Sequence, residues 1–198
     1  MQIRVAVTGG IGSGKSTVMK TIASLGFPCF SCDEIYREML SAVEYANAVQ
    51  KLFPDCVKNG AIEKGRLAKR VFQNQNDLKK LNELAHPLVL KRLEEKLSSC
   101  LGKYVFVEVP LLFESEWSDL FDAVFVVLRP LSQRIQAVQR RDGLSEEEIR
   151  LRIQNQFHYD DAVQAGLFEK ENIYRIENDG DETALANVVK KRIHELAI

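Results

Sequence analysis

The run Gly9-Gly10-Ile11-Gly12-Ser13-Gly14-Lys15-Ser16-Thr17 limits what this chain can fold into more than any other feature. A short β-branched stretch, Ile3-Arg4-Val5-Ala6-Val7, precedes it. Val18, Ile22 and Leu25 follow at helical spacing, with Gly26 placed to end the helix. Strand, glycine-rich turn, helix is the setting that the spacing G-x-x-x-x-G-K-[ST] requires. Glycines there permit backbone angles and close approaches that side chains forbid, so successive N–H groups can converge on phosphate. The positive end of the following helix strengthens that field. Lys15 is placed to reach the terminal phosphates of ATP, and the Ser16 hydroxyl to ligate Mg²⁺. The candidate ATP-binding residues are therefore Gly10, Ile11, Gly12, Ser13, Gly14, Lys15, Ser16 and Thr17. In a chain of 198 residues a chance match has odds on the order of one in a hundred.

The rest of the pattern alternates strands with helices. Phe27 to Ser31 reads as a second strand, followed by a helix from near Asp33 that carries Ile35, Met39 and Leu40. Tyr104 to Val109 and Ala123 to Leu128 are nearly continuous apolar runs, as parallel strands covered on both faces should be. Ile173 to Ile176 is a weaker fifth strand, and a last helix spans about 183–196. These elements predict a three-layer α/β fold, a five-stranded parallel sheet with helices on both faces. Residues 43–101 read as a helical insertion without a strand, broken by Pro54 and Asn59-Gly60, with Pro87 opening a fresh helix. A helical lid is expected over about 140–156, where Ser145 and Glu148 form a capping box. The whole is one domain: a core of about 1–42, 102–139 and 157–198, the insertion as an acceptor-binding subdomain, and the lid.

Composition narrows the function classes. Twenty-seven basic against 28 acidic residues leave a net charge of −1, without the basic excess of a nucleic-acid coat. No apolar run approaches the ~20 residues of a membrane helix, and the amino terminus lacks the features of a signal peptide, so the chain reads as cytosolic. Cys29-Phe30-Ser31-Cys32 has C-x-x-C spacing, but no second pair completes a zinc set, and reduced thiols beside a buried strand are the simpler reading.

A phosphate loop alone does not separate a kinase from a switch. The guanine and switch motifs N-K-x-D and D-x-x-G do not occur. A small-molecule kinase needs an acceptor base, an acceptor pocket and a basic lid. Asp33, directly after the second strand, is the candidate base, with helix N-cap as its other role. Arg140 is the candidate lid cation, and Arg141 beside it reads as solvated surface.

At these residues the sequence resembles the dephospho-CoA kinases over almost its whole length. The likeness runs through Thr8 to Val18, Leu25-Gly26, Asp33 with Arg37-Glu38, and Phe53 with Gly60. It continues through Arg66-Leu67, Val71-Phe72, His86-Pro87 and Pro110-Leu111-Leu112-Phe113-Glu114, then Arg140-Arg141-Asp142, Arg152 with Gln156, and Asn178 with Gly180. The resemblance implies phosphorylation of the ribose 3′-hydroxyl of dephospho-CoA by ATP with Mg²⁺, with no nucleic-acid, membrane or obligate protein partner. It implies Asp33, Lys15 and Arg140 as catalytic residues and Asn178 near the adenine. Asp33, Arg66, His86, Leu111 and Glu114 would face the acceptor; from the residues alone His86 is a helix-start residue. Ser31 stands where the family has the first Asp of Asp-x-Asp, and Val109 where it has an Asp, with Glu108 one place earlier. The alternatives are a kinase for another small acceptor, such as a nucleoside monophosphate, and a non-catalytic nucleotide-binding module.

Overall fold

The computed structural model describes residues 2–196. In chain order these form β1 (Ile3–Thr8), α1 (Lys15–Ser24), β2 (Cys29–Ser31), α2 (Cys32–Met39), α3 (Val43–Leu52), β3 (Val57–Lys58) and β4 (Ala61–Ile62). They continue with α4 (Lys64–Gln73), α5 (Gln75–Ser98), β5 (Tyr104–Glu108), β6 (Ala123–Leu128), α6 (Leu131–Asp142), α7 (Glu146–Gln154), α8 (Tyr159–Gln164), β7 (Ile173–Glu177) and α9 (Glu182–Glu195). The chain divides into two compact units, residues 1–31 with 101–198, and residues 32–100.

The first unit holds the expected five-stranded sheet, all parallel, in the order β2-β5-β1-β6-β7. All six residues of β6 are buried, as are the last four of β1. Val5, Val7, Phe106 and Phe125 pack in one core with Val18 and Ile22 of α1 and Leu185 and Val189 of α9. The chain steps from β1 to one edge and later crosses to the other side of it, so β1 lies at the reversal of strand order, where open α/β sheets place ligands beyond their carboxyl ends. Leu25, the last residue of the stripe read for α1, is 40% exposed; the helix has already ended, and Gly26 at φ 87° closes it. The capping box is present, Glu148 N–H donating to Ser145 Oγ at 3.2 Å and Ser145 N–H to Glu148 Oε2 at 2.9 Å. The four cysteines are reduced thiols.

Two readings of the second unit are corrected. Asn59-Gly60 is the tip of a two-stranded antiparallel hairpin, Val57 facing Ile62 and Lys58 facing Ala61. Both tip residues have positive φ, 52° and 75°, as the turn that matches strand twist requires. Pro87 opens no helix but sits inside the 24-residue α5. The buried stripe Leu81, Ala85, Val89, Leu93, Leu97 runs at four-residue spacing straight through it. Four large apolar side chains contribute roughly 1.5–3 kcal/mol each on burial, against about 3 kcal/mol for an interior proline. Packing wins, and the exposed position of Pro87 lets water reach the carbonyl that its missing N–H leaves unbonded.

Candidate active site

β1 ends at Thr8 and α1 begins at Lys15, so the glycine run is the turn at the carboxyl edge of the central strand. Gly14 occupies the N-cap position at φ 102°, ψ 18°, a left-handed conformation that ordinary residues avoid. It supplies no side-chain cap, and the first turn of α1 carries no acidic residue. The start of α1 and its helix dipole therefore present positive potential with no carboxylate of that turn to quench it. A Cβ on Gly14 would collide with Nδ2 of Asn178, so steric and conformational reasons for glycine coincide there.

The loop carbonyls are turned toward protein donors. Lys15 Nζ donates to the carbonyls of Gly9 (2.7 Å) and Gly10 (3.2 Å). Arg134 Nε donates to that of Ile11 at 3.0 Å, Arg129 Nη1 to that of Gly12 at 3.5 Å, and Asn178 Nδ2 to that of Ser13 at 2.7 Å. Ile11 N–H donates to Gln156 Oε1 and Ser13 N–H to the Gly10 carbonyl at 3.1 Å, while the amides of Gly10, Gly12 and Gly14, trans to the held carbonyls of Gly9, Ile11 and Ser13, face the other way. Ser13 Oγ is buried with no hydrogen-bond partner among the described residues, a polar atom whose need a phosphate oxygen would meet. These features fit a polyphosphate.

Along the same edge Glu108, last residue of β5, is in register with Val7 of β1 on one side and Ser31 of β2 on the other. No group of three or more His, Cys, Asp or Glu able to hold a metal occurs among the described residues. Ser16, exposed in the first turn of α1, and Glu108 offer a hydroxyl and a carboxylate. Such a sparse oxygen set suits Mg²⁺, which keeps several waters and takes one or two protein ligands.

A strap formed by residues 156–160 joins the loop to the Pro110–Glu114 run. Gln156 Oε1 accepts the N–H of Ile11 at 2.9 Å, and Glu114 Oε1 accepts that of Phe157 at 2.8 Å. Phe113 packs on Phe157, ring centroids 4.7 Å apart. The Tyr159 hydroxyl meets Thr8 Oγ1 at 3.0 Å and also bonds the Gly9 backbone; burial raises its pKa, so it stays a neutral phenol. Leu111, 39% exposed, lies on this segment, while Leu112 is fully buried.

Arg140, in the last turn of α6, is exposed and has no hydrogen bond or ion pair among the described residues. Arg141 is tied in a two-pronged bond to Asp142, both distances 2.7 Å. Left-handed Gly143 (φ 68°) ends α6 just before the cap of α7.

In the second unit Asp33 is the exposed second residue of α2, inside the first turn rather than at the cap, two residues along the chain from the end of β2. Arg66 is exposed on α4 and pairs with Glu63 at 3.5 Å. His86 is half-buried in α5, where desolvation lowers its pKa and favours the neutral ring. Arg70 went unremarked in the sequence. It bonds Asp77 at 2.8 Å, pairs with Asp55 and lies 5.1 Å over the Phe53 ring, tying α4, α5 and the segment after α3 together.

Sequence reasoning also missed Arg134, Arg129 and Tyr159. A single Arg or Tyr carries no local signal, although Arg134 directly precedes the buried pair Ile135 and Val138 of its helix. Asn178, expected near the base, is buried with its amide against the Ser13 carbonyl.

The sheet order, the turn after the central strand and the uncapped helix behind it define a P-loop kinase fold. The dephospho-CoA kinase family profile matches residues 3–176. A dephospho-CoA kinase of Thermus thermophilus is 34% identical over 194 residues, covering 98% of this chain and 92% of its own. A crystal structure from Thermus thermophilus superposes with TM-score 0.86 at 32% identity, over 98% of both chains. The dephospho-CoA kinase of Campylobacter jejuni gives 0.65 at 26% identity, covering 98% of this chain and 97% of that one. This chain belongs to the dephospho-CoA kinase family, transferases of the final step of coenzyme A biosynthesis. No helix among the described residues is long and apolar enough to cross a membrane.

Proposed function

We propose that this chain transfers the γ-phosphoryl group of ATP to the ribose 3′-hydroxyl of dephospho-CoA, giving CoA and ADP. The observation that carries the reading is the phosphate loop, its carbonyls held back by Lys15, Arg134 and Asn178, within a sequence that matches the family over residues 3–176. Lys15 exchanges its two loop carbonyls for phosphate oxygens as the nucleotide enters. Ser16 would hold Mg²⁺, which would supply charge neutralisation to the terminal phosphates. Asp33 takes the proton of the 3′-hydroxyl as that oxygen bonds to the γ phosphorus and the bond to the β-phosphate oxygen breaks. Arg140, unpaired and at the end of α6, supplies positive charge to the transferring group. Residues 43–101, with Arg66 and His86, serve acceptor binding together with Leu111 and Glu114, and 140–156 form the lid.

The test is an ADP-release assay on the purified chain with ATP, Mg²⁺ and a panel of acceptors. Dephospho-CoA should turn over with one ADP per CoA, and chelation of the divalent cation should stop it. Preference for a nucleoside monophosphate would transfer the reading to another kinase class. ATP binding without turnover on any acceptor would leave a non-catalytic module.

A further inference from the structure

Glycine is demanded by the loop's spacing pattern only at Gly9 and Gly14, yet Gly10 and Gly12 are glycines as well. One residue from elsewhere in the first unit meets both, its side chain at Gly10 and its backbone at Gly12, where a φ of 77° favours glycine in any case. A Cβ on Gly10 would overlap Nη2 of Arg134 and stand 2.8 Å from its Cζ, and a Cβ on Gly12 would run into the Arg134 backbone carbonyl. Arg134 is 4% exposed, and its Nε bonds the Ile11 carbonyl at 3.0 Å. Asp160, its ion-pair partner, stands 3.7 Å away and is itself 62% exposed, a loose neutraliser for a buried cation. Ile11 is thus fixed at both polar groups, its carbonyl by Arg134 and its N–H by Gln156.

We propose that Arg134 is a positioning residue for the phosphate loop: its guanidinium packs flat beneath Gly10 and draws back the Ile11 carbonyl, so that the loop amides are aimed at the nucleotide before it arrives. The inference rests on the reading that this loop binds ATP. Three features set Arg134 apart from a structural arginine. Among the described residues its one close hydrogen bond goes to the loop. The loop has no side chain at Gly10, where the guanidinium needs room. Its charge, poorly compensated, lies under the anion site and adds to the potential of the α1 terminus. Burial disfavours the protonated form and Asp160 partly restores it, so the charge is retained at a cost that binding of an anion recovers.

The test is a binding cycle on the full chain, with ATP displacing a fluorescent ATP analogue and acceptor KM measured alongside. Arg134→Met should weaken ATP about tenfold or more, the consequence of losing a charge-assisted bond to a part-buried carbonyl. Acceptor KM should stay within about twofold, a split that general loosening of the fold would not produce. Arg134→Lys should recover part of the loss, since it keeps the charge without the planar fork. Gly10→Ala should weaken ATP by itself, because the new methyl displaces the guanidinium, and should cost nothing further when added to Arg134→Met. Where Arg134→Met fails to fold, the cycle is run with Arg134→Lys, which lacks the atoms that meet Gly10. Additive costs, or ATP affinity within about twofold of wild type in Arg134→Met, overturn the role. A wild-type chain that does not bind ATP sinks the functional reading itself, whereas wild-type binding with additive variants sinks only Arg134.

Discussion

Replacing Asn178 tests whether this residue acts on the loop or on the base. Its Nδ2 lies 2.7 Å from the Ser13 carbonyl in a buried setting, and its own N–H is held by the Leu128 carbonyl at 2.8 Å. Asn178→Ala removes the donor and leaves the Ser13 carbonyl unbonded, a desolvation cost of about 1–3 kcal/mol. Without nucleotide the loop can relax and turn that carbonyl to water; binding must then reverse the relaxation. The affinity loss is therefore bounded by the same energy, roughly 5- to 150-fold in Kd. Asn178→Asp should be worse than Ala, since it sets a carboxylate against a carbonyl oxygen. The assay is equilibrium binding of ATP and GTP, with inorganic tripolyphosphate as competitor. A loop buttress lowers all three affinities by a common factor, because each relies on the same amides. A base contact instead changes the ATP-to-GTP ratio and leaves tripolyphosphate untouched. That second outcome would refute the reasoning from the hydrogen bond.

Three further outcomes are expected. Asp33→Asn should lower kcat by about 10²–10⁴-fold with ATP affinity nearly unchanged, and near-normal turnover removes Asp33 from the base role. Tyr159→Phe deletes a hydroxyl that serves both the fully buried Thr8 side chain and the Gly9 backbone; a stability loss of about 1–3 kcal/mol should appear as a melting point lower by roughly 2–4 °C per kcal/mol, and an unchanged melting point contradicts it. Burial pushes the Cys29 thiol up to about 11, so at pH 8 only about one in a thousand is thiolate. Alkylation of Cys29, followed by mass spectrometry, should be slow at pH 8 and rise about tenfold per pH unit; fast labelling at neutral pH contradicts the burial.

The sheet was legible because its central strands are nearly continuous apolar runs, and β6 coincides with its sequence reading, Ala123 to Leu128. What escaped were places where a local rule meets a longer-range one. At Pro87 the residue-pair rule favours a break, but the stripe from Leu81 to Leu97 spans the position, and only the periodicity beyond the proline discloses it. At Asn59-Gly60 the reverse held. The dipeptide was read as a mere interruption, although the strongest short hairpin signal was present, because two-residue strands are too short to show alternation.

The site divides along a similar line. The residues proposed to hold phosphate lie within nine consecutive positions, Gly9 to Thr17, since a converging row of amides must come from one stretch of backbone. That contiguity made them readable. The groups that hold the row in shape come from positions 129, 134, 156, 159 and 178, each as a single side chain reaching across the unit. Nothing local marks them, because each acts through one side chain whose partner lies far away in sequence. The trace one of them does leave is negative: a glycine at Gly10, where the spacing pattern asks for none and a Cβ would meet the Arg134 guanidinium. A glycine in excess of a motif's own needs thus records a neighbour packed against it, and the Gly10–Arg134 cycle measures whether that record is one of function.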